Sequence, residues 1–288
     1  MKDIYIDKEY DENGQLNVEY WYNGDVLHRE DGPAVVTYFS DGNIREEFWY
    51  NNGKIHRNHG PAYIRYSYLK QRELEKWYIN GELHREGGPA WIRYNKQRKE
   101  EEMWFRNNRI HRDDGPAVIY YYVNGEKYME EWYRYDMLHR ENAPAHLMYH
   151  TNGEIAVEEW YLNGKPHRTN GPASLKYSEN GVILKEMWLR NGIYREDKPG
   201  SIEYYENGKV KEEHWFKDNM LHREHYPALI SYHNNGQIAK EMWFANDKIH
   251  REDGPALLVY TDNGEIEQYR YFIEDREFTE EEFLELRR

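Results

Sequence analysis

The residues best suited to chemistry in this chain come in pairs. His precedes Arg at His28–Arg29, His56–Arg57, His84–Arg85, His111–Arg112, His139–Arg140, His167–Arg168, His222–Arg223 and His250–Arg251, and Tyr194–Arg195 fills one further place. A row of guanidinium forks suits a polyanion, and a row of imidazoles suits metal ions. A second series opposes both ideas. Glu stands at positions 19, 47, 75, 102, 130, 158, 186, 213 and 241, one for each Arg. Nine matched carboxylates predict structural ion pairs of Arg with Glu, with each His stacked on an aromatic ring or capping a turn. Tyr194 in a His place argues against a metal. A catalytic residue has no reason to recur eight times. GxGxxG, P-loop, HExxH, nucleophile-elbow and CxxC motifs are missing from the sequence. The expectation is therefore a non-enzyme with no catalytic, cofactor or metal site. If the imidazoles are partly buried and neutral, acid should weaken the fold.

The elements that must position these residues follow from a repeat. Trp21, Trp49, Trp77, Trp104, Trp132, Trp160, Trp188, Trp215 and Trp243 are spaced by 27 or 28 residues. A fixed period of this size marks a repeat array, in which each unit packs on its neighbours. Each unit holds two runs of period two, Ala-x-(Ile/Val/Leu)-x-Tyr and Glu-x-Trp. Period two places alternate side chains on one face of a strand. Asn-Gly or Asp-Gly turns separate the runs, as at Asn52-Gly53 and Asn152-Gly153, and Asn108, Asp136, Asn219 and Asp247 stand where that Gly is lost. These residues tolerate positive φ, so a hairpin is expected at each. The Gly-Pro-Ala step has Ala143, Lys198 or Tyr226 in place of its Gly, which points to close packing and not to positive φ. Nine of the ten prolines occupy this step.

The predicted fold is all-β: an elongated antiparallel β-hairpin repeat array of about nine 28-residue repeats, an open meander or solenoid-like sheet of roughly 18–20 short strands. Residues 1–20 supply an N-terminal half-repeat cap, residues 21–270 the repeats, and residues 271–288 a degenerate last strand and a capping helix. Thr279 is the expected N-cap with Glu282 at N3. Phe283, Leu284 and Leu286 are expected to seal the last strand.

Composition narrows the function. The 288 residues carry a formal charge of −14, which disfavours duplex nucleic acid and anionic lipid. There is no cysteine, and no apolar run approaches a membrane span. A cytoplasmic protein is expected, in the host cytoplasm if the source is viral.

The motif Trp-Tyr-x-Asn-Gly-x-x-His-Arg-x-Asp-Gly-Pro-Ala resembles the MORN-variant repeats of bacterial and large-DNA-virus proteins. The resemblance covers residues 10 to about 271. It implies a β-hairpin array used for protein binding or scaffolding, with antitoxin or immunity proteins among the relatives. The structural ladder is typified by Glu47, Trp49, His56, Arg57 and Pro61.

One region departs from the pattern. The second and third repeats replace Asn-Gly turns with Lys70-Gln71-Arg72 and Lys96-Gln97-Arg98-Lys99. Arg65, Lys76 and Arg93 lie on the adjoining strands, near Tyr63, Tyr68 and Trp91. In an acidic protein these make a basic and aromatic patch, the candidate partner-binding surface. The leading expectation is an inhibitor, immunity protein or scaffold that binds a protein partner. The alternative is an acidic decoy that mimics nucleic acid. No nucleic-acid or membrane partner is expected, and pairing of sheet edges into homo-oligomers remains open.

Overall fold

The computed structural model describes residues 4–287. Met1–His139 and Arg140–Arg288 each form a compact unit. Both are antiparallel β meanders built from one local plan, and a single short helix closes the second.

The plan is seen in one repeat. Val35–Tyr38 pairs with Ile44–Phe48 through a turn in which Gly42 has φ 81°. Trp49 leaves the ladder. Tyr50–Asn51 and Lys54–Ile55 then form a two-residue hairpin, with Asn52 at φ 47° and Gly53 at φ 78°. Two successive positive φ values define the turn that matches the twist of a hairpin. The chain returns through His56–Pro61, and Tyr63–Tyr66 pairs with the free side of Ile44–Phe48. The Trp49 N–H donates to the Ala62 carbonyl at 2.8 Å, and the Ala62 N–H donates to the Lys76 carbonyl at 2.9 Å. Each repeat thus has four strand segments where the sequence predicted two. The extra pair is the small hairpin after Trp, too short to show in a period-two pattern.

Turn chemistry follows the residues. Asn108, Asp136, Asn219 and Asp247 have φ of 63°, 67°, 65° and 67°, so the backbone demand persists where Gly is lost. These side chains also reach back to the preceding repeat. Asn108 Oδ1 accepts from the Leu83 N–H at 2.8 Å, and Asp136 Oδ1 accepts from the Ile110 N–H at 2.8 Å.

Register sorts the side chains into two faces. In the first unit Val36, Glu47, Ile64, Glu75, Ile92, Glu102 and Ile119 lie directly opposite one another, strand after strand. In the second unit Leu147, Glu158, Leu175, Glu186, Ile202, Glu213, Ile230, Glu241 and Leu258 repeat the alternation. This is the ladder face, and it carries the Trp side chains. The core is thin and lies on both faces: Ala34, Ala62, Ala90, Ala117, Ala145, Ala173, Ala228 and Ala256 are fully buried on this one, and Val35, Tyr63, Leu74 and Val118 are buried on the other.

At the C-terminal end, Ile266–Ile273 pairs with Arg276–Phe278, and the helix Glu280–Glu285 follows. Thr279 and Glu282 form the reciprocal capping box expected from the sequence. Phe283 is buried and packs on Tyr271, with ring centroids 4.6 Å apart. Leu284 and Leu286 are exposed, which corrects their predicted part in the seal. One turn and a half of helix presents a single residue to the sheet. No described helix is long and apolar enough to cross a membrane.

Candidate functional site

The His-Arg ladder resolves into three structural contacts. First, the Arg lies flat on the Trp of its own repeat. The guanidinium carbon sits over the indole at 3.8 Å for Arg29 on Trp21, 3.9 Å for Arg57 on Trp49 and 4.0 Å for Arg251 on Trp243. Five more repeats show the same stack, at Arg85, Arg112, Arg168, Arg195 and Arg223. The fork also donates to the proline carbonyl of the Gly-Pro-Ala step, as from Arg57 to Pro61 at 3.1 Å.

This corrects the predicted Arg–Glu pairing. Arg168 does reach Glu158 at 3.7 Å, but the common partner of the Glu is a tyrosine hydroxyl. Tyr38 donates to Glu19 at 2.8 Å, Tyr66 to Glu47 at 2.9 Å, Tyr94 to Glu75 at 3.0 Å and Tyr260 to Glu241 at 2.6 Å. Each such bond spans two neighbouring repeats. Glu75 and Glu102 are buried and take a second partner, Arg72 and Lys99 respectively. A buried carboxylate needs such partners to offset its desolvation.

The Gly of the Gly-Pro-Ala step is now explained. A Cβ built on Gly32 would fall 2.7 Å from Arg29 Cζ, and one on Gly115 would fall 2.7 Å from Arg112 Cζ. The glycine opens the space into which the guanidinium presses, so close packing is the reason, as expected. Gly60 adds a backbone demand, with φ 137°.

Second, the His bonds forward. His28 Nδ1 accepts the Asn52 N–H at 3.1 Å, and His56 Nδ1 accepts the Asn80 N–H at 2.9 Å. His222 and His250 accept from Asn246 and Glu274 at 3.3 Å each. The imidazole therefore caps the hairpin turn of the next repeat. His111 differs: its ring stacks on Tyr135 at 4.1 Å. At His56 both ring nitrogens are engaged, because Nε2 donates to Asn58 Oδ1 at 2.9 Å. His56→Ala removes both bonds and is expected to cost about 1 kcal/mol in urea unfolding; an unchanged stability would refute this capping role.

Third, Tyr194 does not replace a His. It pairs with Leu189 as Ile55 pairs with Tyr50, so it holds the aliphatic position of the small hairpin. The His itself is deleted, and the Arg195 N–H donates to the Trp188 carbonyl where His56 would have done so. Tyr194 stacks on Phe216 at 4.0 Å. A Cβ on Gly200, the residue that replaces the repeat Ala, would lie 2.7 Å from the Phe216 ring and 2.9 Å from Tyr194. The two departures are one compensated change. Gly200→Ala is expected to destabilise by ~1–3 kcal/mol through overpacking. Tyr194→Ile in the same chain should recover most of that loss, and additive costs in urea unfolding would count against the coupling.

The predicted basic patch divides between the faces. Arg65, Lys76, Trp91 and Arg93 come together on the face opposite the ladder. There Phe48, Tyr63, Lys76, Trp91 and Met103 oppose one another across five strands, with Arg65, Leu74 and Arg93 in the next row. Lys76 Nζ lies 3.9 Å over the Trp91 ring and 5.3 Å from that of Tyr63. Burial, and then Arg65, hold the Lys76 ammonium below its ordinary pKa. Arg65 meets Glu73 at 3.3 Å; Arg93 meets Glu100 and Glu101, each at 3.1 Å.

The other patch residues lie elsewhere. Arg72 and Lys99 sit on the ladder face with Glu75 and Glu102. Arg98 donates to the Val123 carbonyl at 2.8 Å. Lys70 and Lys96 occupy turns with φ of 59° and 48°, and exposed Tyr68 stacks on Phe39 at 4.0 Å. Loops adjacent in sequence logic need not share a face, because strand parity decides it.

Among the described residues no three His, Asp or Glu side chains come together as a metal-binding group. No protein-family model matches the chain, and no curated protein matches it. Among solved structures, the TcdB2-TccC3 crystal structure without its hypervariable C-terminal region is 11% identical at a TM-score of 0.17, covering 94% of this chain and 17% of that one. The Photorhabdus luminescens Tc holotoxin pore is 11% identical at a TM-score of 0.18, covering 92% and 15%. The chain spans less than a fifth of these structures, and overlaps this poor carry no inference about fold or activity.

Proposed function

We propose that the chain is a MORN-variant repeat array that binds a protein partner as an inhibitor, immunity protein or scaffold, and that the first unit's Tyr63–Lys76–Trp91 face is where it binds. The observation that carries this reading is the contrast between the faces. Eight repeats spend their ladder face on the same Trp–Arg stack, and tyrosine hydroxyls bond its glutamates along the sheet. The opposite face changes in residue type from repeat to repeat. Around Lys76 it holds half-buried Lys76 and Trp91 over the buried Tyr63 ring, with Arg65 and Arg93 beside them, in a protein of net charge −14. Aromatic and Arg side chains are the usual anchors of an interface.

The neighbouring turns support the same region. Lys96 and Gln97 hold φ of 48° and 67° without Asn or Gly, a conformation that costs on the order of 1 kcal/mol or more per residue. Such strain is retained where particular side chains are wanted.

The test is capture of partners by tagged protein from lysate of the native source after nuclease treatment, compared with the double variant Lys76→Glu, Arg93→Glu. Loss of one stoichiometric partner, by ~10-fold or more, is the expected result. Undiminished capture would overturn the assignment of this face. Partners released by high salt and consisting of nucleic-acid enzymes would favour the decoy reading instead.

A further inference from the structure

A second surface, independent of the first, is the outer edge of Ile4–Tyr10. This strand pairs with Leu16–Asn23 on one side, and all seven of its residues are exposed. Ile4 is 71% and Tyr10 59% exposed. Its register reproduces that of an inner strand. Tyr10 opposes Leu16 after a bulge, as Tyr38 opposes Ile44; Lys8 opposes Glu19, as Val36 opposes Glu47.

The comparison defines what the free side is shaped for. Inside the array, the other side of Val35–Tyr38 is occupied by a strand whose Glu19 stands opposite Val36 and accepts the Tyr38 hydroxyl. Tyr66, Tyr94 and Tyr260 find the same carboxylate one strand back. Tyr10 has the place of these tyrosines, and its outer side offers the hydroxyl to no described carboxylate. The second departure is Lys8. Inner strands put Val, Ile or Leu between two glutamates, whereas Lys8 puts an ammonium there, 2.9 Å from Glu19. A cation opposite the vacant place favours a carboxylate in it.

We infer that this edge binds an extended segment of a partner by antiparallel strand addition, with a Glu or Asp opposite Lys8 and an aromatic residue two positions later, opposite Ile6. The partner's main chain satisfies the free backbone groups of the edge. Its carboxylate accepts from Tyr10 and faces Lys8, and its aromatic ring lies over Ile6. An edge lysine also repels apolar or cationic strands, so the site selects by charge.

The probe is a fluorescent peptide with the sequence of residues 43–51, the repeat's own Glu-x-Trp strand, read by anisotropy against the whole chain. Binding should weaken about tenfold when the peptide's two glutamates become Gln, and likewise in Lys8→Glu. Tyr10→Phe should weaken it less. The absence of native cysteine permits a register check: Ile6→Cys should cross-link to a peptide with Cys in its Trp place, and Glu9→Cys should not. Equal binding of the Gln peptide, no binding of either peptide, or cross-linking at both positions would overturn the inference. So would sedimentation showing that the chain alone dimerises through this edge and that Lys8→Glu leaves the dimer intact.

Discussion

Raising the pH from 9 towards 12 is expected to unfold this protein in one cooperative step driven by tyrosine ionisation. Burial, and then the hydrogen bond to Glu19, push the Tyr38 hydroxyl up to about 12. Burial and Glu47 do the same to Tyr66, burial and Glu241 to Tyr260, and burial with Glu158, Glu186 and Glu213 to Tyr177, Tyr204 and Tyr232. Tyr94 and Tyr121 are raised further still, again by burial first and by Glu75 and Glu102 next.

A folded-state pKa above the unfolded value of ~10 means that the unfolded chain releases the proton first. The stabilisation is complete below about pH 10 and is lost as pH rises through 10 to 12. Each phenolate would also face a glutamate across the ladder. Because the repeats share this bond, their contributions act in the same window. Phenolate absorbance and far-ultraviolet circular dichroism, followed together, should move as one transition. Native dichroism persisting beyond pH 12 would refute the account. Burial is the larger cause, so Glu47→Gln should return Tyr66 only part of the way.

The second large effect concerns the Trp–Arg–Pro stack. Trp243 is 9% exposed, lies under Arg251, and is framed by Gly254 and the Pro255 carbonyl that Arg251 Nη1 meets at 3.1 Å. Trp243→Ala removes the floor of that stack and is expected to cost about 3–5 kcal/mol. Arg251→Lys keeps the charge but loses the flat fork, and should cost ~1–2 kcal/mol. Gly254→Val would be milder than the same change at Gly115, since the Cβ gap is 3.3 Å at Gly254 and 2.7 Å at Gly115. Urea unfolding of the four variants gives the order. If Arg251→Lys proved as costly as Trp243→Ala, the guanidinium and not the indole would dominate the stack.

The repeat, the strands and the hairpin turns were legible because they depend on local chemistry. Period-two alternation fixes which side chains share a face, and Asn-Gly, Asn or Asp fixes where φ turns positive. The Thr279–Glu282 capping box was visible for the same reason. The Gly at the Gly-Pro-Ala step was correctly tied to packing, since Lys198 and Tyr226 could replace it.

What failed was the assignment of partners. Nine Arg and nine Glu in equal number suggested ion pairs, yet charge matching says nothing about distance. Folding lays the Arg on Trp and leaves the Glu to a tyrosine of the next repeat. A signal was present: Trp49, Arg57 and Gly60 keep their spacing through most of the chain. Tyr194 was misplaced because a one-residue deletion shifts the alignment, and only the Leu189–Tyr194 pairing reveals it. The patch was half legible: Arg65, Lys76, Trp91 and Arg93 share a face through strand register, while bulges and turns send Arg72 and Lys99 to the ladder. The sequence by itself thus determined the period, the strands and the turns, which are set by backbone preference and side-chain alternation. Only the tertiary structure decided which repeat's group each side chain meets, because that depends on register between strands about 20 residues apart.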